Sequence, residues 1–265
     1  MIKLFKVGGR CLDKNGDSVA KQIAKLAYNV EKESETCVVV HGYSHALATI
    51  LDSYSIKRLK FVTGSGMRSK FTTQAVLAAS HFAASLTHER FLHNLCVNFS
   101  NAKGVMGFQG CLIGRRKNKI RYKENGVLKV FKDDWSGRIE EIHGRCLELR
   151  GQPNGVVLLT PLLADQYGGI LVCDADHVAA QVAIYFGLSH YTIFSDTNGF
   201  RVHGKTVERI PVSRISEYME HANGGMSKKI HYIAQALKQG VRKIHLLSGM
   251  ETDVDYTKGT IFYAD

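Results

Sequence analysis

Leu4-Phe5-Lys6-Val7-Gly8-Gly9 is a short apolar strand that runs straight into paired glycines, and Val38-Val39-Val40-His41-Gly42 repeats the pattern further on. A strand ending in Gly-Gly can turn sharply and approach a ligand with no Cβ in the way. If a helix begins next, its unpaired N–H groups face the same spot and favour an anion. Lys6 brings a full positive charge there. Two such loops suit a phosphate held between backbone amides and a lysine. They also suit ordinary strand-to-helix turns, and this segment alone leaves both readings open.

Outward from these junctions, strand-like and helix-like stretches alternate. Between the two strands Val19, Ile23, Leu26, Ala27 and Val30 recur at helical spacing, with Asp17-Ser18 available as a cap. A long helix is expected over 73–96 and a strand over 102–106. The stretches 119–123 and 127–132 alternate apolar and basic residues around Glu124-Asn125-Gly126, a hairpin signal. An apolar strand over 156–162, a helix over 175–186 and a strand over 191–194 come next. Helix 226–238, strand 243–247 and a last strand over 259–262 complete the series. Repeated βα units predict an α/β three-layer sandwich, a mainly parallel central sheet with helices on both faces. Three prolines and no low-complexity linker argue against loosely tethered domains.

The 265 residues suffice for one large α/β core or two closely joined halves. No run approaches the roughly 18 apolar residues of a membrane span. The first six residues are too short and too charged for a signal peptide, so a cytoplasmic location is expected. The six cysteines are scattered with no CxxC pair, and read as reduced thiols. Twelve histidines form no HExxH, and no metal site is expected. The net charge of +11 calls for an anionic partner: nucleic acid, nucleotide, acidic protein or anionic lipid.

There is no GxxxxGK[ST], no GxGxxG and no GxSxG, so the P-loop, Rossmann and serine-hydrolase fingerprints all fail. The candidates left lie at strand ends, where open α/β sheets place ligands. In Gly64-Ser65-Gly66-Met67-Arg68-Ser69, an arginine in a hydroxyl-rich loop suits bidentate capture of a carboxylate, or a surface turn. Cys173-Asp174-Ala175-Asp176 closes a strand and opens a helix. Its carboxylates suit capping, and Asp176 could also orient nearby lysines. Gly224-Gly225-Met226-Ser227-Lys228-Lys229 puts lysines at a helix start, against the dipole, a conflict that a bound anion would remove. From Arg115 to Lys132 there are eight Lys or Arg and one acid, which reads as a solvated basic hairpin or as a docking surface for an acidic partner.

Taken in order, these pieces resemble the amino acid kinase family, in its acetylglutamate kinase branch. The resemblance runs through Lys6-Val7-Gly8-Gly9, His41-Gly42, Gly66-Met67-Arg68-Ser69, Asp174-Ala175-Asp176, Ser195-Asp196-Thr197-Asn198-Gly199, Gly225-Met226-Ser227-Lys228-Lys229 and Gly259-Thr260. The stretch from Gly114-Arg115-Arg116-Lys117 through Tyr122, Glu124-Asn125-Gly126 and Trp135-Ser136-Gly137-Arg138-Ile139-Glu140-Glu141 carries a closer likeness. It is to kinases of lysine and arginine biosynthesis that act on an amino acid borne by a small acidic carrier protein. The resemblance implies transfer of the ATP γ-phosphate to a side-chain carboxylate, with Mg²⁺ held mainly by the ATP phosphates.

By this likeness Lys6 and Lys229 stabilise the phosphoryl group and Asp176 holds both lysines. Gly8, Gly9 and Gly42 supply N–H donors, and Arg68 clasps the substrate's α-carboxylate. Ser195, Asp196 and Gly199 border the nucleotide. Tyr43, Ser44, Val172 and Asp174 line the acceptor, and Arg115, Arg116 and Lys117 dock the carrier. Residues 1–174 would form the acceptor half and 175–265 the nucleotide half of one continuous sheet. A homodimer through the 73–96 helix is implied as well. Two departures stand out: Tyr43 replaces a further glycine, and Val172 replaces an asparagine that contacts the substrate's blocked amino group. The competing readings are a kinase of free N-acetylglutamate, and a non-catalytic regulator or nucleic-acid-binding protein on the same fold.

Overall fold

The computed structural model describes residues 2–28, 36–62, 68–117, 119–124, 127–149, 155–252 and 254–265. Val30, the 63–67 part of the glycine loop and the Asn125-Gly126 turn lie outside them. In chain order the elements begin with β1 (Ile2–Val7), α1 (Gly9–Tyr28), β2 (Thr36–His41), α2 (Ser44–Ser53), β3 (Lys60–Val62), β4 (Arg68–Lys70) and α3 (Gln74–Asn98). Then come β5 (Asn101–Met106), β6 (Leu112–Arg116), β7 (Ile120–Glu124), β8 (Val127–Phe131), β9 (Gly137–Ile142), β10 (Gly155–Thr160), β11 (Leu162–Ala164) and β12 (Ile170–Val172). The C-terminal part adds α4 (Ala175–Tyr185), β13 (His190–Ser195), β14 (Arg201–Val202), β15 (Lys205–Thr206) and β16 (Arg209–Pro211). It ends with α5 (Ile215–Met219), α6 (Gly225–Lys238), β17 (Lys243–Ser248) and β18 (Thr260–Tyr263).

The strands β16-β18-β17-β13-β1-β2-β10-β5 form one sheet, with every pairing parallel except that of β17 with β18. Successive side chains of a strand point to opposite faces, and here both faces are covered. Leu4, Val38, Val40, Leu159 and Ile193 pack against residues of α4 and α6. Phe5, Val7, Val39, Leu158 and Phe194 pack against α1 and α3. Burial on two sides is why these strands read as unbroken apolar runs. The three-layer α/β sandwich stands as expected.

Three local features differ from the sequence reading. First, α1 starts at Gly9, the second residue of the glycine pair, ahead of Asp17-Ser18. Its backbone leaves helical geometry at Asn15 (φ −150°, ψ 30°). Asn15 there donates to the Gly249 and Glu251 carbonyls, and Ser18 donates to Thr252 O. Second, the 156–162 stretch breaks at Pro161, which cannot donate to a ladder. β10 stays in the main sheet while β11 joins a second sheet, β12-β11-β6-β9, which periodicity had not shown. Third, Arg115 and Arg116 lie on β6 in that second sheet, whereas the basic hairpin is the separate pair β7–β8.

Candidate active site

The C-terminal ends of β1, β2 and β13 lie side by side, and the two glycine loops are pressed together there. A Cβ on Gly9 would stand 2.8 Å from Ser44 N, closer than real Cβ contacts come, and a tight 3.0 Å from Gly42 O. The glycines are needed for that approach. The N–H of Gly8 donates to Phe194 O (2.9 Å) and that of Gly42 to Val7 O (2.8 Å), so both are spent on joining the strand ends. Cys11 and Leu12 donate to Gly8 O. Helix geometry leaves Gly9 and Arg10 as the first-turn donors of α1 without an intrahelical acceptor.

Lys6, from the end of β1, places its Nζ 2.8 Å from Asp176 Oδ1. Lys229, from the first two turns of α6, places its Nζ 3.2 Å from the same oxygen and 3.5 Å from Oδ2. Asp176 stands in the first turn of α4, whose cap is Asp174, accepting from Asp176 N at 3.0 Å. Both lysine side chains are under 10% exposed, at 6% and 8%. Burial alone would raise the Asp176 pKa, but the two ammonium groups outweigh it and hold the carboxyl at about 2. Burial, with Lys6 alongside, lowers that of Lys229. Two buried cations thus share the Asp176 carboxylate, and Asp174 is a further acid within electrostatic reach of Lys6, with no other ion pair to either lysine among the described residues. Buried cations are costly unless compensated, and an anionic ligand would stabilise the pair further.

On the side of β13, Ser195 is buried and its hydroxyl donates to Asp196 Oδ1 (3.3 Å), while Arg10 reaches Asp196 Oδ2 at 2.5 Å. Arg10 thereby links the glycine loop to the loop after β13, a contact that sequence reasoning missed. Gly199 has φ +79°, and a Cβ there would meet Thr260 Oγ1 at 2.5 Å, so only glycine fits this turn.

On the opposite side, Tyr43 does not project into open space. It is 5% exposed and belongs to an apolar cluster with Leu47, Leu51, Val76, Ala83 and Leu162. Val172 packs against that same cluster, so the two departures sit in one apolar patch. Ser44 begins α2, with Tyr43 at its cap position. Arg68 opens β4, and its side chain lies outside the described residues. Next to it, Ser69 Oγ accepts from Lys228 Nζ at 3.4 Å, which ties β4 to α6.

Basic groups crowd this side. Arg58 is half-buried, its Nε without a hydrogen-bond partner among the described residues, and burial lowers its pKa. Burial also lowers Lys117, which has Cys173, Arg138, Asp134 and Lys228 as electrostatic neighbours. Arg116 lies 3.6 Å over the Trp135 ring and bonds Asp133, whereas Arg115 is 78% exposed beside Glu140. The three predicted docking residues therefore face different surroundings, with Lys117 the one beside Cys173 and Lys228. Neither Arg58 nor Asp134 carried a motif signal in the sequence.

Under the second glycine loop, His41 Nε2 lies 3.2 Å from His88 Nδ1 and 3.0 Å from Thr160 Oγ1. Burial, and for His41 the neighbouring His88, lowers the two rings to about 3 and about 4, so both are neutral at pH 7.

The sequence profile of the amino acid kinase family matches residues 1–248, and the chain belongs to that family, a family of phosphotransferases. It is similar to the LysW-aminoadipate/LysW-glutamate kinase of Saccharolobus islandicus, 25% identical over 251 residues covering 94% of this chain and 92% of the relative. A Pyrococcus horikoshii protein provisionally named for the same activity is 29% identical over 244 residues, 92% and 93% of the two chains. Among solved structures, the N-acetylglutamate synthase of Neisseria gonorrhoeae superposes with TM-score 0.79 at 19% identity, covering all of this chain and 59% of the synthase. The carbamate kinase of Giardia lamblia bound to AMP-PNP superposes with TM-score 0.64 at 14% identity, covering 100% and 98%. These two likenesses are of fold.

Proposed function

We propose that the protein phosphorylates the side-chain carboxylate of an acidic amino acid, of glutamate or aminoadipate type, whose amino group is blocked or borne by a small acidic carrier protein. The observation that carries this reading is the buried Lys6–Asp176–Lys229 group, two ammonium groups held on one carboxylate, at the mouth of the glycine loops. In transfer, an acceptor carboxylate oxygen forms a bond to the γ-phosphorus of ATP. The bond to the β,γ-bridging oxygen breaks, and its electron pair leaves with ADP. The carboxylate is already a nucleophile, so no general base is needed. The chain's contribution is placement and charge stabilisation.

In this reading Lys6 and Lys229 meet the phosphoryl oxygens, Asp176 fixes both ammonium groups, and Gly9 and Arg10 donate from the helix start. Ser195, Asp196 and Gly199 border the nucleotide in the 175–265 half, and Arg68, Ser44 and Asp174 face the acceptor in the 1–174 half. Among the described residues no group of three His, Cys, Asp or Glu gathers to hold a metal, and Asp176 is taken up by two lysines. In this reading Mg²⁺ is carried by the ATP phosphates, where it would neutralise phosphate charge. The carrier form of the acceptor is supported by the relatives' substrates, by the +11 charge and by the cations that neighbour one another here, Arg58, Lys60 and Lys228 around Lys70 and Arg138 and Lys228 around Lys117.

Hydroxylamine trapping of the acyl phosphate, with ATP and free glutamate, N-acetylglutamate or carrier-linked glutamate and aminoadipate, tests this. Hydroxamate is expected with the carrier-linked acceptors. Equal turnover of free N-acetylglutamate would transfer the assignment to the free amino acid. No hydroxamate with any acceptor and no ATP binding would overturn the kinase reading.

A further inference from the structure

We propose that Asp134, outside every motif discussed above, is the positioning residue that holds the acceptor side together; this rests on the acceptor reading just given. Asp134 is fully buried. Its Oδ2 accepts the Thr72 N–H at 2.9 Å, and its Oδ1 accepts the Ser136 N–H at 2.9 Å together with the Ser136 hydroxyl. Trp135, the next residue, donates its N–H to Thr72 O (2.7 Å) and accepts the Val172 N–H on its own carbonyl (2.9 Å). Ser136 O accepts the Lys117 N–H at 2.9 Å. Arg116 braces the segment from outside, donating from Nε to Asp134 O at 2.8 Å with its guanidinium over Trp135.

Three chain segments that carry acceptor-side residues thus meet on Asp134-Trp135-Ser136. They are the exit of β4, four residues after Arg68; the end of β6, at Lys117; and β12, whose last residue Val172 leads to Asp174. β6 and β12 share one sheet through β11, whereas β4 belongs to the separate β3–β4 pair, so no ladder sets the spacing of β4 against the other two. A carboxylate can accept on both oxygens at once, and here it satisfies two donor groups on opposite sides. An amide offers one acceptor and one donor end, so in Asp134→Asn one side would face donor to donor. The site needs a two-sided acceptor rather than a filled volume, and that requirement marks positioning.

The test compares wild type, Asp134→Asn and Ser136→Ala, which removes only the hydroxyl donor. Steady-state kinetics are run with ATP and carrier-linked acceptor, alongside thermal unfolding and amide hydrogen exchange. In Asp134→Asn the acceptor KM is expected to rise about tenfold or more, with ATP KM near wild type and faster exchange at Thr72 and Val172. Ser136→Ala should move the acceptor KM in the same direction by a smaller factor. If Asp134→Asn fails to fold, Ser136→Ala decides: an acceptor-only rise supports the assignment, and unchanged or equal rises in both KM values overturn it. Wild-type activity with both variants unchanged would reject the positioning role alone. Wild-type inactivity on every acceptor would instead reject the kinase reading beneath it.

Discussion

At the scale of single residues, the site depends on how two buried lysines are kept charged. Lys229→Ala removes one of the two cations on Asp176, the one proposed to meet the transferred group, while leaving the glycine loops in place. Turnover is expected to fall about 10²- to 10³-fold with ATP KM changed by no more than about threefold. Single-turnover measurement with a titrated nucleotide analogue separates the two, and turnover equal to wild type would remove Lys229 from the mechanism. Asp176→Asn strands two ammonium groups without their shared counter-charge. A loss on the order of 3–5 kcal/mol in urea unfolding is expected, and a loss below about 1 kcal/mol would contradict the shared-carboxylate geometry. Lys6 was visible as a charge beside glycines, and Lys229 as a helix-start lysine at odds with the dipole. Asp176 read first as a cap; in the structure that task belongs to Asp174, which frees Asp176 for the lysines. Asp134 and Arg58 were not legible, since a lone acid or arginine in irregular chain has no period to betray burial.

At the scale of elements, the two glycine loops work as one unit because Gly9 and Gly42 touch. Gly9→Ala would push its methyl against Ser44 N and Gly42 O, and turnover is expected to drop about tenfold or more while far-ultraviolet circular dichroism stays near wild type. Full activity in that variant would mean that the loops need not abut. The main strands and helices were legible because burial on two faces leaves continuous apolar runs, and one-sided burial leaves a helical stripe. The β12-β11-β6-β9 sheet was not. Its strands are short, come from distant parts of the chain, and bury close packing such as Gly114 against Leu163 rather than an alternating pattern. Of α1, the segment beyond the kink at Asn15 is the helix expected from Asp17-Ser18, whereas the turns from Gly9 to the kink carry no side-chain cap to signal them.

At the scale of the whole molecule, charge and pH make further predictions. His41 and His88 are held at about 3 and about 4, below the ordinary histidine value of 6.5, and Asp176 at about 2, below 3.8. The unfolded chain therefore binds more protons than the folded one. Stability from these groups is complete above about pH 6.5, is lost as pH falls through the histidine range toward 3, and drops further as Asp176 protonates. Urea midpoints between pH 8 and 4 should fall with acidity, and a flat profile would contradict the neutral buried pair. Binding of an acidic carrier should weaken about tenfold or more between about 50 and 500 mM salt, and salt-independent affinity would count against the docking of that partner. The linear chain by itself determined the parallel sandwich, the order of the loops at its strand ends and the cationic character of the molecule, because periodicity, glycine placement and net charge are local or additive properties. Only the tertiary structure decided that Lys6 and Lys229 share Asp176, that Tyr43 and Val172 fill one patch, and that Asp134 joins two sheets. Each of those joins residues far apart in the chain, and burial and hydrogen-bond geometry exist only once the chain has folded.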